Sequence, residues 1–234
     1  MKKQKKKFDA VIVDLPYVNS KSNSKKQKWD KPIDLQKMWS WLYRISKENC
    51  PFTFFSSGIF SAELMMSNKK EFRYDIIWQK GSKCTRFLNA NRMPLRNHEN
   101  ILLFYRHLPA YNPQMVKGKP LHSMGTLFRT KENTNNNYGN FNPTNGRAGS
   151  TEKYPRSIIS FNSVVNPIHP TEKPIALLEW LIKTYSNEGD LILDFCAGSG
   201  TTAIASSNCN RNCIAVEIIP EFYDMMKSRI NSIN

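Results

Sequence analysis

The chain has 234 residues, enough for one substantial core or a core with a small appended domain. Hydrophobic residues make up 40%, so burial can offset chain entropy, and the net charge of +15 favours a polyanionic partner, DNA or RNA first among them. No stretch is long and apolar enough to span a membrane, and the basic start MKKQKKK leads into a short strand where a secretory signal would have a long apolar segment.

The apolar run Ala10-Val11-Ile12-Val13 predicts a buried strand that ends at Asp14. Residues 20–31 are polar and lysine-rich and predict a surface loop. From Ile33 to Ser46 the apolar residues Leu35, Met38, Trp39, Leu42 and Ile45 recur at helical spacing. A strand is expected at 52–55, and a helix at 58–67 with Ile59, Leu64 and Met65 facing inward. Two more strands are expected at 74–79 and 100–105. Periodicity then fails from Arg106 to Pro167, a stretch rich in Asn, Gly, Pro and Lys. It returns with a helix over 174–185, a strand over 191–195, a helix from Thr201, a strand over 213–217 and a last helix from Pro220. Strands alternating with helices predict an α/β fold with a doubly wound, mainly parallel sheet.

Five cysteines (Cys50, Cys84, Cys196, Cys209 and Cys213) include no CxxC pair, and the four histidines have no ligand spacing. A disulfide framework and a metal site are both disfavoured, and a reducing compartment fits.

Two places combine the residue types that chemistry needs. At the first, Asp14-Leu15-Pro16-Tyr17 puts a carboxylate, a proline-stiffened turn and an aromatic ring at the end of the first strand, where open α/β sheets carry their sites. A carboxylate accepts hydrogen bonds and a ring stacks on a planar base, which suits work on the amino group of a nucleobase. At the second, Leu191-Ile192-Leu193-Asp194 runs into Phe195-Cys196-Ala197-Gly198-Ser199-Gly200-Thr201-Thr202. Glycines there let a ligand approach the main chain, and the following helix offers free amides to a carboxylate or phosphate. Glu217, at the end of the next predicted strand, can accept both hydroxyls of a ribose. This is an adenosine-cofactor half-site. Gly198-x-Gly200-x-x-Ala203 followed by an acidic residue also fits the dinucleotide fingerprint, so NAD stays open on this motif alone, as does a plain strand–helix turn.

Taken with His169-Pro170-Thr171-Glu172-Lys173-Pro174, these motifs resemble the DNA amino-methyltransferases. Their order, catalytic tetrapeptide first and glycine loop last, resembles the beta group, and the nearest likeness is to phage-type adenine methyltransferases with leucine at the second tetrapeptide position. Shared-looking stretches include Lys28-Trp29-Asp30, Phe87-Leu88-Asn89-Ala90, residues 93–99, Tyr111-Asn112-Pro113 and Ala176-Leu177-Leu178-Glu179, so the resemblance spans nearly the whole chain.

The resemblance implies a Rossmann-like fold with an inserted target-recognition region, S-adenosylmethionine (SAM) as methyl donor and a flipped-out adenine as acceptor. By it, Asp14 and the main-chain carbonyl of Leu15 accept hydrogen bonds from the exocyclic amine, Pro16 holds the turn and Tyr17 stacks on the base. Gly198 and Gly200 pass beneath the methionine part of the cofactor, Thr201 meets its carboxylate and Glu217 its ribose; Asp194 and Cys196 belong to the same loop, and the segment Thr171 to Lys173 closes over the methionine end. The division implied is a catalytic half over 1–105, a recognition insert over 106–168 and a SAM-binding half over 169–234.

Three features depart from the family pattern. The tetrapeptide strand begins at residue 10, where the family normally has a further strand and helix ahead of it; Val18 stands where glycine usually follows the tyrosine; and Cys196 stands where phenylalanine is common. The alternative expectation is accordingly a nucleic-acid-binding pseudo-methyltransferase or heteromer subunit with weak SAM binding. Lysines at 21, 25, 26, 28 and 31, Lys25 and Lys28 above all, are expected to grip phosphates, with Arg86, Arg92 and Arg96 as a second set, or else to be a solvated face. The expected partner is double-stranded DNA in a prokaryotic or phage-infected cytoplasm, with a homodimer allowed and no membrane.

Overall fold

A computed structural model of the chain describes residues 6–17, 31–85, 87–120 and 149–232. These fall into two units, one within residues 1–112 and 157–234 and the other within 113–156.

The larger unit is built on a seven-stranded sheet. β1 (Ala10–Asp14) lies in its interior, with β2 (Phe52–Ser56) parallel on one side and β8 (Leu191–Asp194) parallel on the other. β9 (Asn212–Ala215) extends the sheet beyond β8, again in parallel. Beyond β2 stands β4 (His98–Phe104), antiparallel to β2 and to β3 (Phe72–Gln79), with which it forms a hairpin. β7 (Ile158–Ser160) closes that edge, parallel to β3. The sequence predicts neither the reversal at β4 nor the strand β7, which is three residues long and sits inside the stretch where periodicity fails.

Every residue of β1 from Ala10 to Val13 is buried, and the period of two sends them alternately to the two faces. Ala10 and Ile12 pack with Leu177 and Leu181 of α3 (Ile175–Tyr185) and Ala205 of α4 (Thr201–Asn208). Val11 and Val13 pack with Met38, Trp39 and Leu42 of α1 (Leu35–Ile45) and Phe60 and Leu64 of α2 (Ile59–Ser67). Each such fully buried leucine contributes about 1.5–3 kcal/mol over its exposed state. α1 begins where the Asp34 carboxylate caps the Lys37 amide at 3.1 Å. In α2, Ile59 is 60% exposed and Phe60 is buried in its place: the helix starts at Ile59, and its first turn presents the next residue to the core. The last helix is α5 (Pro220–Asn231), with proline in its first turn.

In the smaller unit, β5 (Val116–Lys117) pairs antiparallel with β6 (Glu152–Lys153), and the Gly118 amide donates to the Thr151 carbonyl at 2.7 Å. Among the described residues no helix is long and apolar enough to cross a membrane, and no cluster of His, Cys, Asp and Glu could hold a metal ion.

Candidate active site

β1 and β8 are parallel neighbours, so Asp14 and Asp194 both stand at the carboxyl edge of the sheet. A cleft of about 810 Å³ opens there, lined on one side by Asp14 to Tyr17 and on the other by Phe195 to Ser199 and Glu217. That volume lies within the range of small-molecule sites.

On the β1 side four charged groups and a phenol are packed together. The Tyr17 hydroxyl donates to Asp14 Oδ1 at 2.8 Å and lies 3.4 Å from Glu99 Oε2. The ammonium of Lys173 is bonded to Asp14 Oδ2 and lies 3.7 Å from Glu99 Oε2, and Lys80 is bonded to Glu99 Oε1. Lys173 is 8% exposed, and its Nζ stands 5.0 Å from the centre of the Phe55 ring.

Burial pushes the Asp14 carboxyl above its ordinary range, while Lys173 pulls it back. Burial works against the charge of Lys173, but Asp14 and Glu99 together hold its ammonium above the usual lysine range. Burial would likewise raise Glu99, and there Lys173 and Lys80 prevail and hold it below. Burial and the two carboxylates push the Tyr17 phenol far up, so it is a neutral donor. One face of its ring is stacked on Phe60, with centroids 5.4 Å apart.

On the β8 side the turn is held by its own carboxylates. Asp194 Oδ1 accepts from the Cys196 amide at 3.0 Å, and Oδ2 from the Thr202 hydroxyl at 2.5 Å. Burial nevertheless pushes its carboxyl up to about 7, with those two bonds opposing. Burial, with Asp194 adding, also drives the Cys196 thiol upward, so it is no nucleophile at neutral pH. Gly198 (φ +52°) and Gly200 (φ +78°) both adopt left-handed backbone. A Cβ on Gly200 would meet Met226 Cγ of α5 at 2.6 Å, and one on Gly198 would crowd the His169 ring at 3.4 Å. No side chain caps α4 at Gly200, and Thr201 lines the cleft.

Glu217, two residues past β9, accepts the Gly198 amide at 2.8 Å on Oε2 and the Ile219 amide at 2.9 Å on Oε1. Each oxygen keeps a lone pair for a ligand hydroxyl. The segment from His169 to Lys173 bridges the two sides: Glu172 Oε1 pairs with Arg229 of α5 at 2.7 Å, the His169 ring packs edge-on against Phe222, and Lys173 reaches across to Asp14.

The structure thus brings Asp14, Leu15, Pro16, Tyr17, Thr171, Lys173, Asp194, Cys196, Gly198, Thr201 and Glu217 to one cleft, with Gly200 at the turn behind it. The Lys173 ammonium ends on Asp14 and Glu99, at the carboxylate side of the cleft. Arg92 is exposed, whereas Arg96 is half-buried and donates to the Ser57 hydroxyl at 2.5 Å. Lys25, Lys28 and Arg86 lie outside the described residues, as do Val18 and the other lysines of that loop except Lys31, which is exposed at the cleft. Sequence reading assigns no role to Glu99 or Lys80; the available signal was a charged residue opening an apolar strand, Glu99 ahead of Ile101-Leu102-Leu103-Phe104.

A half-buried carboxylate and a glycine turn face one cleft from adjacent parallel strands, at the carboxyl edge where a Rossmann-like α/β fold carries its sites. The family model described as DNA methylase matches residues 8–228, and the chain belongs to that family. Over 64 residues it is 45% identical to the type II methyltransferase M.HpaI of Haemophilus parainfluenzae, covering 27% of this chain and 20% of that protein. Over 65 residues it is 45% identical to the type II methyltransferase M2.MboI of Moraxella bovis, covering 28% of this chain and 24% of that protein. The chain thus spans about a fifth to a quarter of the length of these curated relatives. Among solved structures, the M1.HpyAVI–SAM complex shares the fold, with a TM-score of 0.59 and 21% identity over 95% of this chain and 89% of that one.

Proposed function

We propose that the protein is a SAM-dependent DNA methyltransferase that acts on the N6 amine of a flipped-out adenine in double-stranded DNA. The observation that carries this reading is the placement of Asp14 and Gly198 on one cleft at the carboxyl ends of neighbouring parallel strands. Membership of the DNA methylase family supports it, as do two type II methyltransferases among the relatives.

The residues fit the donor. Gly198 brings bare main chain to the cleft wall, Gly200 turns the backbone behind it at φ +78°, Thr201 offers a hydroxyl and an amide at the α4 N-terminus, and both oxygens of Glu217 have capacity left for the ribose. Asp194, Cys196 and Thr171 shape that chamber. SAM supplies an electrophilic methyl group when bound. Asp14 and the Leu15 carbonyl accept the two hydrogens of the adenine amine, draw its lone pair out of conjugation and orient it toward that methyl. Pro16 fixes the turn, and Tyr17, which lines the cleft, offers its ring to the base while its hydroxyl steadies Asp14. Lys173 serves the acceptor carboxylate and has to yield Asp14 Oδ2 when the amine arrives.

Within the same reading, residues 1–105 carry the catalytic half, 106–168 the target-recognition region and 169–234 the SAM-binding half. Lys25, Lys28, Arg92 and Arg96 are assigned to DNA, Arg96 by bracing its loop on Ser57. The compartment is the cytoplasm of a prokaryotic or phage-infected cell, with a homodimer allowed.

The test is incubation of the purified protein with tritiated SAM and plasmid DNA, followed by digestion to nucleosides. Label in N6-methyladenine is the expected result; label in N4-methylcytosine overturns the choice of base, and no label overturns the activity.

A further inference from the structure

The segment between β3 and β4 emerges at the carboxyl edge of the sheet, beside the cleft, because β3 ends there and the reversed β4 begins there. Its base is closed by main-chain bonds: Lys80 N to Asn97 O at 2.8 Å and Thr85 N to Arg96 O at 2.8 Å, with Arg96 pinned to Ser57. Lys80, Lys83 and Thr85 of this base line the cleft. The tip is ordered by its own turns, a 3-10 turn over Phe87–Asn89 and bonds from the Arg92 and Met93 amides to the Asn89 carbonyl at 2.9 and 3.0 Å.

This ordered tip holds its apolar side chains away from the core. Phe87 is 71% exposed and Leu88 86%, with Met93 and Leu95 at 42% and 40% beside them. Exposed apolar side chains gathered within nine residues on a braced support mark a surface meant to be covered. The surroundings narrow the choice of partner. Lys83 and Arg92 are exposed on the same loop, no acidic residue occurs between 80 and 97, and the chain as a whole carries +15. An apolar tip with exposed cations on the same loop is complementary to one polymer in particular, a nucleic-acid duplex, whose stacked interior is apolar and whose rim is phosphate.

We propose that Phe87 and Leu88 form a wedge that enters the base stack of duplex DNA and fills the gap left by the extruded nucleotide, while Arg92 meets the flanking phosphates. This inference rests on the methyltransferase reading above. The wedge offsets the cost of unstacking, so it matters where the target is stacked and paired and not where it is already free.

The experiment compares wild type with the double variant Phe87→Ala, Leu88→Ala, using tritiated methyl transfer to a plasmid duplex and to the same plasmid heat-denatured. The variant is expected to lose at least about tenfold on the duplex and to stay within about threefold on denatured DNA. Equal losses on both DNAs, or none on either, overturn the wedge alone. A wild type that labels neither DNA overturns the methyltransferase reading and the wedge with it. Topoisomer distributions after relaxation in the presence of each protein give the answer without turnover: insertion unwinds the duplex, so wild type shifts the distribution and the variant, bound to the same extent, does not. An identical shift from both overturns the wedge. The substituted side chains are exposed, and unchanged thermal unfolding confirms that the variant is folded.

Discussion

The ammonium of Lys173 occupies Asp14 Oδ2, the carboxylate to which the proposed reading has a substrate amine bond. A protonated amine with N–H donors is thereby held where, in that reading, another amine enters. Asp14 thus remains partnered in a site that would otherwise bury its charge alone.

Asp14→Ala is expected to lower the rate of methyl transfer by about a hundredfold or more, as removal of a group that meets the reacting centre does. SAM affinity by calorimetry should stay within a few fold, because Asp14 faces the amine and the donor is held across the cleft. Loss of both in parallel would place Asp14 in the cofactor site.

Lys173→Met removes the charge that pulls Asp14 down and leaves Glu99 to push it further up. Transfer needs the ionised carboxylate, so activity is lost as pH falls through the Asp14 pKa. In the variant that acid limb should move to higher pH in single-turnover rates. An unmoved limb would mean that Lys173 does not govern Asp14.

Glu217→Ala is expected to weaken SAM binding by at least about tenfold, the scale of losing hydrogen bonds to a charged group. Gly200→Ala should act on the same readout by another route. Its Cβ would collide with Met226 Cγ at 2.6 Å, and the residue would be held at φ +78°, which costs about 1–3 kcal/mol for a residue with a side chain. Adding Met226→Ala should restore part of the loss by relieving the collision but not the backbone strain. Full retention of binding in Gly200→Ala would refute the tight packing of this turn.

Asp194 makes stability fall with rising pH. Its carboxyl is held at about 7 in the fold. In the unfolded chain it sits near the ordinary value of about 3.9, so between roughly pH 4 and 7 the fold keeps a proton that the unfolded chain has released. Its stabilising contribution is therefore full at low pH, declines through that window and is level above it. Asp194→Asn cannot take part, so the melting temperature of the variant minus that of wild type should increase from about pH 5 to about pH 8. A constant difference would show that Asp194 is ionised throughout.

DNA binding should weaken steeply with salt, since lysine and arginine contacts release counterions. Arg92→Ala is expected to reduce the slope of log affinity against log salt by about one. A slope that does not change would remove Arg92 from the phosphate contacts.

Much of this arrangement could be read from the chain itself. The strand ending at Asp14, the glycine turn and helices α1, α3, α4 and α5 follow from apolar periodicity with a turn residue at each end. What escaped was set by tertiary context. β7 is too short for a period to register, and it forms because β3 offers it an edge. The reversal of β4 leaves no mark in its own composition, and it delivers the first residues of that strand to the cleft, where a search for polar residues after an apolar run passes over Glu99. Lys173, which its motif implies closes over the methionine end of a donor, lines the same cleft with its ammonium on Asp14 and beside Glu99, a pairing that sequence spacing does not reveal because a long side chain ends where its partners are.

Beyond a register shift between Phe72 and Tyr74, the β3–β4 hairpin pairs continuously from Tyr74 with Leu103 to Gln79 with His98, so its two legs are in register before the segment at its open end begins. Residues added or removed there alter chain-closure entropy only logarithmically and leave the ladder in place. A change in the length of that segment would therefore leave the strand that carries Asp14 in its place in the sheet.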